Sequence, residues 1–130
     1  MGKAITVCVG LLLCLSVAPA SEEAPDFHKK WMKDSGDMMG NLRKGIDVEQ
    51  SAVKIEAIYK EVEGFWAKRN SEVGVKACKD AQSVARELAA AARAGNKEGV
   101  AANGKLLGAS CKSCHDAHRE KVSETEYRIK

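Results

Sequence analysis

Apolar residues between positions 26 and 121 recur three and four places apart, which is the period of an amphipathic helix. No run of alternating β-branched and polar residues predicts a strand. The periodic pattern divides into four segments separated by short polar or glycine-containing stretches. They run from Asp26 to about Lys44, from Asp47 to just before Lys68, from Glu72 to Ala94, and from Asn96 to about Lys121.

The segment ends carry recognisable helix signals. Gly45 and Gly95 follow the first and third segments, as is usual after a helix C-terminus. Asp47 with Gln50 three residues later predicts a capping box, and Asn96 is a predicted N-cap residue. Each segment therefore has a defined beginning or end.

The short connections make consecutive helices antiparallel. We therefore predict an all-α fold, an antiparallel up-down-up-down four-helix bundle. After Lys121 the chain becomes polar and is expected to fray, with Tyr127 and Ile129 as the residues that could dock.

The first twenty residues have the pattern of an export signal. Lys3 precedes an apolar run from Ala4 to Val17, and Ala18-Pro19-Ala20 gives a small-x-small cleavage pattern. The run is too short to span a membrane. We expect residues 1–20 to be removed, residues 21–130 to form one domain, and the product to reside in the periplasm without a stable membrane span.

The charge balance argues against nucleic-acid binding. The chain has 21 basic and 18 acidic residues, a formal net charge of +3, and 5% aromatic residues. A nucleic-acid-binding domain would carry a marked basic excess or basic residues interleaved with aromatic ones.

The strongest chemical signal is the run Cys111-Lys112-Ser113-Cys114-His115. Cys-x-x-Cys-His is the attachment sequence of c-type haem. On a helix, residues three and four apart share a face, so both thiols could form thioethers with one haem edge while His115 binds the iron as proximal ligand. The motif occurs once, which predicts one covalent haem c per chain. A thioredoxin-like redox pair and half of a zinc site remain as alternatives.

Cys78 is the one cysteine of five outside both the predicted signal and this motif. It lies on an apolar helix line with Val75, Ala81, Ala85 and Leu88, which favours a small buried core residue. The alternative is an intermolecular disulfide in an oxidising compartment.

With this motif in its last helix, the chain resembles the cytochrome c′ family, the class II c-type cytochromes. Most c-type cytochromes carry the motif near the N-terminus, whereas this family carries it in the fourth helix of a bundle. The likeness covers essentially all of residues 21–130. It depends on the stretches at 27–40, 89–96 and 107–119, the last containing the haem motif and Arg119.

The resemblance implies two kinds of distal site. In the low-spin branch a methionine of helix one binds the iron and the protein carries electrons; Met32 aligns with that position, and Met39 is the reserve candidate. In five-coordinate members the sixth site is vacant and binds nitric oxide or carbon monoxide. The resemblance also implies that Arg119 packs beside His115 on the proximal face. The chain departs from the family at His28 and Lys29, where Arg-Gln is common, and at His118, where Tyr or Phe is usual.

Two further histidines are candidate neighbours of the haem. We expect His118 to pack and hydrogen-bond near a propionate. His28 is expected either at the haem periphery or, more commonly for such a residue, on the surface. Four lysines could surround an exposed haem edge and steer a redox partner: Lys29, Lys30, Lys33 and Lys112.

The sequence therefore predicts a periplasmic electron carrier, not an enzyme, with His115 and Met32 as iron ligands. Its expected partners are periplasmic redox proteins, and the alternative function is diatomic gas binding. The haem is expected to supply core volume that the bundle needs to fold. The resemblance also implies a homodimer through helices one and two, with Phe27, Trp31 and Met38 at the contact.

Overall fold

A computed structural model of the protein describes residues 21–130, so the predicted signal at 1–20 lies outside the described part of the chain. Four helices are packed against each other, which confirms the predicted all-α four-helix bundle. No helix within residues 21–130 combines the length and apolar character needed to cross a membrane. The helices are α1 (Asp26–Lys44), α2 (Val48–Lys68), α3 (Glu72–Arg93) and α4 (Lys97–His118).

Two of the predicted helix ends are confirmed. Gly45 ends α1 in the left-handed conformation with φ of 69°, which glycine adopts without a Cβ penalty. The side chain of Asn96 caps α4 by accepting a hydrogen bond of 2.9 Å from the Gly99 backbone N–H.

The start of two other helices differs from expectation. Asp47 precedes α2 in the left-handed region, with φ of 44° and no side-chain capping bond, so the predicted capping box is wrong. Ser71 caps α3 through a 3.0 Å hydrogen bond from the Gly74 N–H to its Oγ. The sequence does not mark Ser71 as a cap, because no Glu or Gln follows three residues later to complete a capping box.

Packing follows chain order: α1 contacts α2, α2 contacts α3, and α3 contacts α4. The largest side chains that are fully buried include Ile55 and Val62 from α2, Leu88 from α3 and Leu107 from α4. Among the described residues, α1 and α4 make no comparably extensive contact with each other. The space between these two helices is where the candidate site lies.

Cys78 is fully buried within the α3 side of this core and is not in a disulfide. The prediction that Cys78 is a small buried core residue is therefore confirmed. Of the predicted dimer residues, Phe27 is 53% exposed, while Trp31 and Met38 are partly buried against the core. The homodimer stays a prediction.

A small antiparallel sheet joins the two ends of the described chain. Its strands are β1 (Glu22–Glu23), β2 (Arg119–Lys121) and β3 (Tyr127–Ile129), with β3 in the centre. Ile129 is buried and pairs with both outer strands, opposite Glu22 and Arg119. The end of the tail is therefore paired, so the expectation that it would fray is wrong. The expectation that the chain forms no strand is also wrong. These strands are two or three residues long and mostly charged, so no alternating pattern could reveal them.

Candidate cofactor site

A cavity of about 290 Å³ opens between α1 and α4. Small-molecule sites occupy roughly 300–1,000 Å³, so the cavity is near the lower end of that range. Helix α2 lines its floor, and the strands β2 and β3 close one end. The lining residues are His28, Met32 and Gly36 from α1; Tyr59, Val62 and Trp66 from α2; Cys111, Cys114, His115 and His118 from α4; and Arg119, Tyr127 and Ile129 from the sheet.

Helix α4 presents the two cysteines and the histidine of the predicted motif to this cavity. Cys111, Cys114 and His115 all line it, as residues three and four apart on one helix face should. Leu107, one turn earlier on the same face, is fully buried and fixes the rotation of the helix. Both motif cysteines are free thiols.

The surroundings of these thiols differ from those of a redox dithiol. Burial raises the pKa of Cys114 to about 11, the neighbouring Cys111 adds to the rise, and the Trp66 N–H opposes it. Burial also raises the pKa of Cys111. Thioredoxin-like cysteines sit at a helix N-terminus with a lowered pKa, whereas Cys111 lies about four turns after α4 begins at Lys97. The thioredoxin-like interpretation is therefore disfavoured.

The arrangement also differs from a zinc site made by side chains alone. Within residues 21–130 no three His, Cys, Asp or Glu side chains are grouped to hold a metal ion. A structural zinc site needs four such ligands. A haem iron needs only axial ligands from the protein, and the residues of this cavity can supply them.

Met32 reaches the same cavity from the opposite helix. It is half-buried on α1 and lines the cavity that His115 lines from α4. Met39, the reserve distal candidate, packs against the core and does not line this cavity. Of the two methionine candidates, the structure thus brings Met32 to the motif.

The environment of His115 favours a neutral imidazole, the form that binds metals. Burial lowers the pKa of His115, the positive charge of Arg119 lowers it further, and Asp116 opposes both. A neutral ring is available to an iron without first losing a proton.

His28 is 5% exposed, so the expectation of a surface residue is wrong. Its Nδ1 lies 3.0 Å from the Tyr127 hydroxyl, and its ring packs on Phe65 with centroids 4.9 Å apart. Burial lowers the pKa of His28 to about 4, assisted by the charges of Arg69 and His115. His28 is therefore a neutral wall residue that ties α1 to β3.

His118 has the packing and hydrogen-bonding role expected of it. Its ring stacks on Trp66 with centroids 4.0 Å apart. Its Nδ1 lies 3.1 Å from the Lys130 carbonyl oxygen, and its Nε2 lies 2.6 Å from the Ser71 Oγ. Because a carbonyl only accepts, Nδ1 donates to the Lys130 oxygen, while the second hydrogen bond joins Nε2 and the Ser71 hydroxyl. Its placement near a propionate stays a prediction.

Arg119 follows α4 as the first residue of β2 and lies at the cavity wall. Its guanidinium carbon lies 5.2 Å from the centroid of the Tyr127 ring, a cation–π distance. The side chain is exposed, and its charge acts on His115. The expected contact of Arg119 with the proximal face of a haem stays a prediction.

The four lysines proposed to steer a partner are all matched by carboxylates. Each forms an ion pair, which reduces the positive field that the group can project. The pairs are Lys29 with Glu23, Lys30 with Asp34, Lys33 with Asp37, and Lys112 with Asp116.

Three cavity residues on α2 were not identified as site residues from the sequence. Tyr59, Val62 and Trp66 belong to the apolar side of α2, and their spacing of three and four residues marked them only as core. Tyr59 makes a direct polar contact with the motif: its hydroxyl lies 3.2 Å from the Cys111 Sγ. Only the packing of α2 against α4 reveals that contact.

The cavity residues fit a covalently bound haem. The walls are mainly apolar, two thiols and an imidazole lie on one helix, and a thioether lies on the helix opposite. The buried Trp66 indole nitrogen has no well-formed hydrogen bond among the described residues. Comparison with protein-family models, with curated proteins and with solved structures gave no match to this chain.

Proposed function

We propose that the protein is a monohaem c-type cytochrome of the cytochrome c′ kind that carries single electrons in the periplasm. One observation supports this above the others. Cys111, Cys114 and His115 on α4, and Met32 on α1, line one cavity from two helices. The resemblance of residues 107–119 and 27–40 to that family agrees with it.

Each of these residues has a distinct role in the proposal. Cys111 and Cys114 attach the haem c through thioethers, His115 binds the iron on the proximal side, and Met32 binds it on the distal side. When bound, the haem supplies an iron that alternates between the ferric and ferrous states. A methionine ligand favours the ferrous state and so raises the reduction potential.

The bundle provides a dry and fixed setting for this chemistry. Tyr59, Val62 and Trp66 are buried in the cavity floor, where they exclude water from the ring. The sheet residues Tyr127 and Ile129 close one end. Fixed ligands and excluded water limit the rearrangement that accompanies a change of iron charge, which suits electron transfer.

A second candidate function is the binding of nitric oxide or carbon monoxide at a vacant sixth site. The observation in its favour is Gly36, which lines the cavity one turn after Met32. A Cβ added at Gly36 would meet nothing within 4 Å, so there is open space on the α1 side. A small ligand could enter there if Met32 did not hold the iron.

Redox titration and carbon monoxide binding of the haem-loaded protein separate the possibilities. The proposal predicts one reversible electron per chain, low-spin spectra in both oxidation states, and slow carbon monoxide binding because a ligand must leave first. High-spin spectra with rapid carbon monoxide binding would contradict electron transfer and support gas binding as the function. A protein without a haem spectrum that takes up two electrons would point to a dithiol function.

A further inference from the structure

Tyr59 is the α2 residue that makes a polar contact with the Cys-x-x-Cys-His motif. It lies midway along α2, is 5% exposed, and lines the cavity with Cys111 and Cys114. Burial raises the pKa of the Tyr59 hydroxyl far above its usual range, and the nearby thiols add to the rise. The phenol is therefore a neutral hydrogen-bonding group at any ordinary pH.

The two motif thiols are not equivalent in their contacts. The Cys111 Sγ lies 3.2 Å from the Tyr59 hydroxyl, within the distance for a hydrogen bond to sulfur. The Trp66 indole N–H lies near Cys114 and lowers its pKa, but among the described residues that nitrogen makes no well-formed hydrogen bond. The Tyr59 bond also lowers the pKa of Cys111 against the effect of burial. Burial nevertheless keeps the pKa of Cys111 above its ordinary value, so the contribution of Tyr59 is to orient one of the two sulfurs.

We propose that Tyr59 is a positioning residue that holds the Cys111 sulfur toward the cavity and thereby promotes thioether formation at Cys111 specifically. The inference rests on the proposed haem attachment. The step is an addition: the Cys111 S–H bond breaks, the sulfur bonds to one carbon of a vinyl group, and the hydrogen goes to the other carbon. No electrons are gained or lost, so no oxidant is required.

The hydroxyl can be removed with little change to the core. Tyr59→Phe keeps the ring that fills the space between α2 and α4. Ser51→Ala is the matched control, because it also removes a buried hydroxyl from α2, and Ser51 does not line the cavity. Circular dichroism of both variants verifies that the four helices are retained.

The sequence offers a direct way to assign the free thiols. Lys112 separates the two cysteines, so trypsin places Cys111 on the peptide 106–112 and Cys114 on the peptide 113–119. Each protein is produced with a bacterial haem-attachment system, denatured, alkylated at free thiols, digested and quantified by mass spectrometry. An alkylated peptide 106–112 reports chains in which Cys111 has not reacted.

We expect Tyr59→Phe to increase alkylated Cys111 about fivefold over wild type, the effect of one neutral hydrogen bond, with alkylated Cys114 unchanged. Ser51→Ala should match wild type at both cysteines. Equal Cys111 alkylation in Tyr59→Phe and wild type would overturn the inference, and so would an equal rise at both cysteines. A wild-type chain with no thioether at either cysteine would instead overturn the proposed function.

Discussion

The functional assignment depends most on one side chain, Met32. It reaches the cavity from α1 opposite His115, and a thioether in that position can hold a haem iron low-spin. We expect Met32→Ala to give a high-spin spectrum, a lower reduction potential and rapid carbon monoxide binding. Visible spectroscopy and stopped-flow mixing measure these changes.

The control for Met32→Ala is a substitution of a methionine that does not line the cavity. Met39→Ala is suitable because Met39 packs against the core without lining the cavity. Its spectrum should match wild type. If wild type is already high-spin and binds carbon monoxide as fast as Met32→Ala does, the electron-carrier proposal fails.

His28 makes the stability of the protein depend on pH. Its pKa falls from 6.5 to about 4 on folding, first through burial and then through Arg69 and His115. Below pH 6.5 the unfolded chain binds a proton that the folded chain does not, so the free energy of unfolding decreases as pH falls toward 4. The loss should reach about 3 kcal/mol and then level off.

Urea denaturation of wild type and His28→Gln between pH 7 and pH 4 measures this contribution. Because other groups titrate in both proteins, the difference between the two curves isolates His28. The difference in the free energy of unfolding between wild type and His28→Gln should decrease as pH falls. A constant difference across this range would show that His28 does not titrate as proposed.

At the scale of the helices, α2 and α3 approach closely where Gly74 meets Trp66. A Cβ on Gly74 would lie 2.5 Å from the Trp66 Cγ, so the ring or the helix must move. We expect Gly74→Ala to lower the free energy of unfolding by about 1–3 kcal/mol, the usual cost of overpacking. Urea denaturation provides the measurement.

Gly64→Ala is the matched control on α2. Gly64 is exposed within the helix, and a Cβ there would meet nothing within 4 Å. Alanine favours helix over glycine, so this substitution should stabilise the protein by about 0.5–1 kcal/mol. Equal effects of the two substitutions would contradict the close contact with Trp66.

The helices were predictable from the sequence because their signals are local. Apolar spacing located all four, and Gly45 and Asn96 marked ends that the structure retains. The Asp47 capping box failed because the backbone there turns left-handed before α2. A side chain can cap only if the backbone turns its oxygen toward the free N–H groups.

The sheet and the α2 part of the site were not predictable in this way. β3 forms because Tyr127–Ile129 meets both Glu22–Glu23 and Arg119–Lys121 at one end of the bundle. The paired strands β1 and β3 are far apart in sequence, and no local sequence pattern predicts that they pair. The contact of Tyr59 with Cys111 has the same origin, whereas the grouping of Cys111, Cys114 and His115 followed from helical spacing alone.

At the scale of the whole molecule, α1 is the helix least held by apolar burial. Its only buried residues are His28 and Ser35, both polar, and it faces α4 across the cavity. Helices α2 and α3 share a continuous core that includes Ile55, Val62 and Leu88. We therefore infer that the group filling the cavity stabilises the docking of α1.

Removing the attachment cysteines tests this dependence. A haem-free Cys111→Ser/Cys114→Ser variant should lose helicity by circular dichroism, and its α1 amides should exchange with deuterium faster than those of α2 and α3. The haem-loaded wild type is the reference. A cooperative, fully helical variant with a protected α1 would contradict the idea that the bundle needs its cofactor.

The proposed function requires that Cys111 and Cys114 hold a haem covalently beside His115. The most direct measurement is the intact mass of the protein under denaturing conditions, after production with a bacterial haem-attachment system. We expect a chain heavier by one haem that denaturation does not remove, with only a small fraction of Cys111 and Cys114 open to alkylation. A chain of unmodified mass, with both of these thiols free, would contradict it.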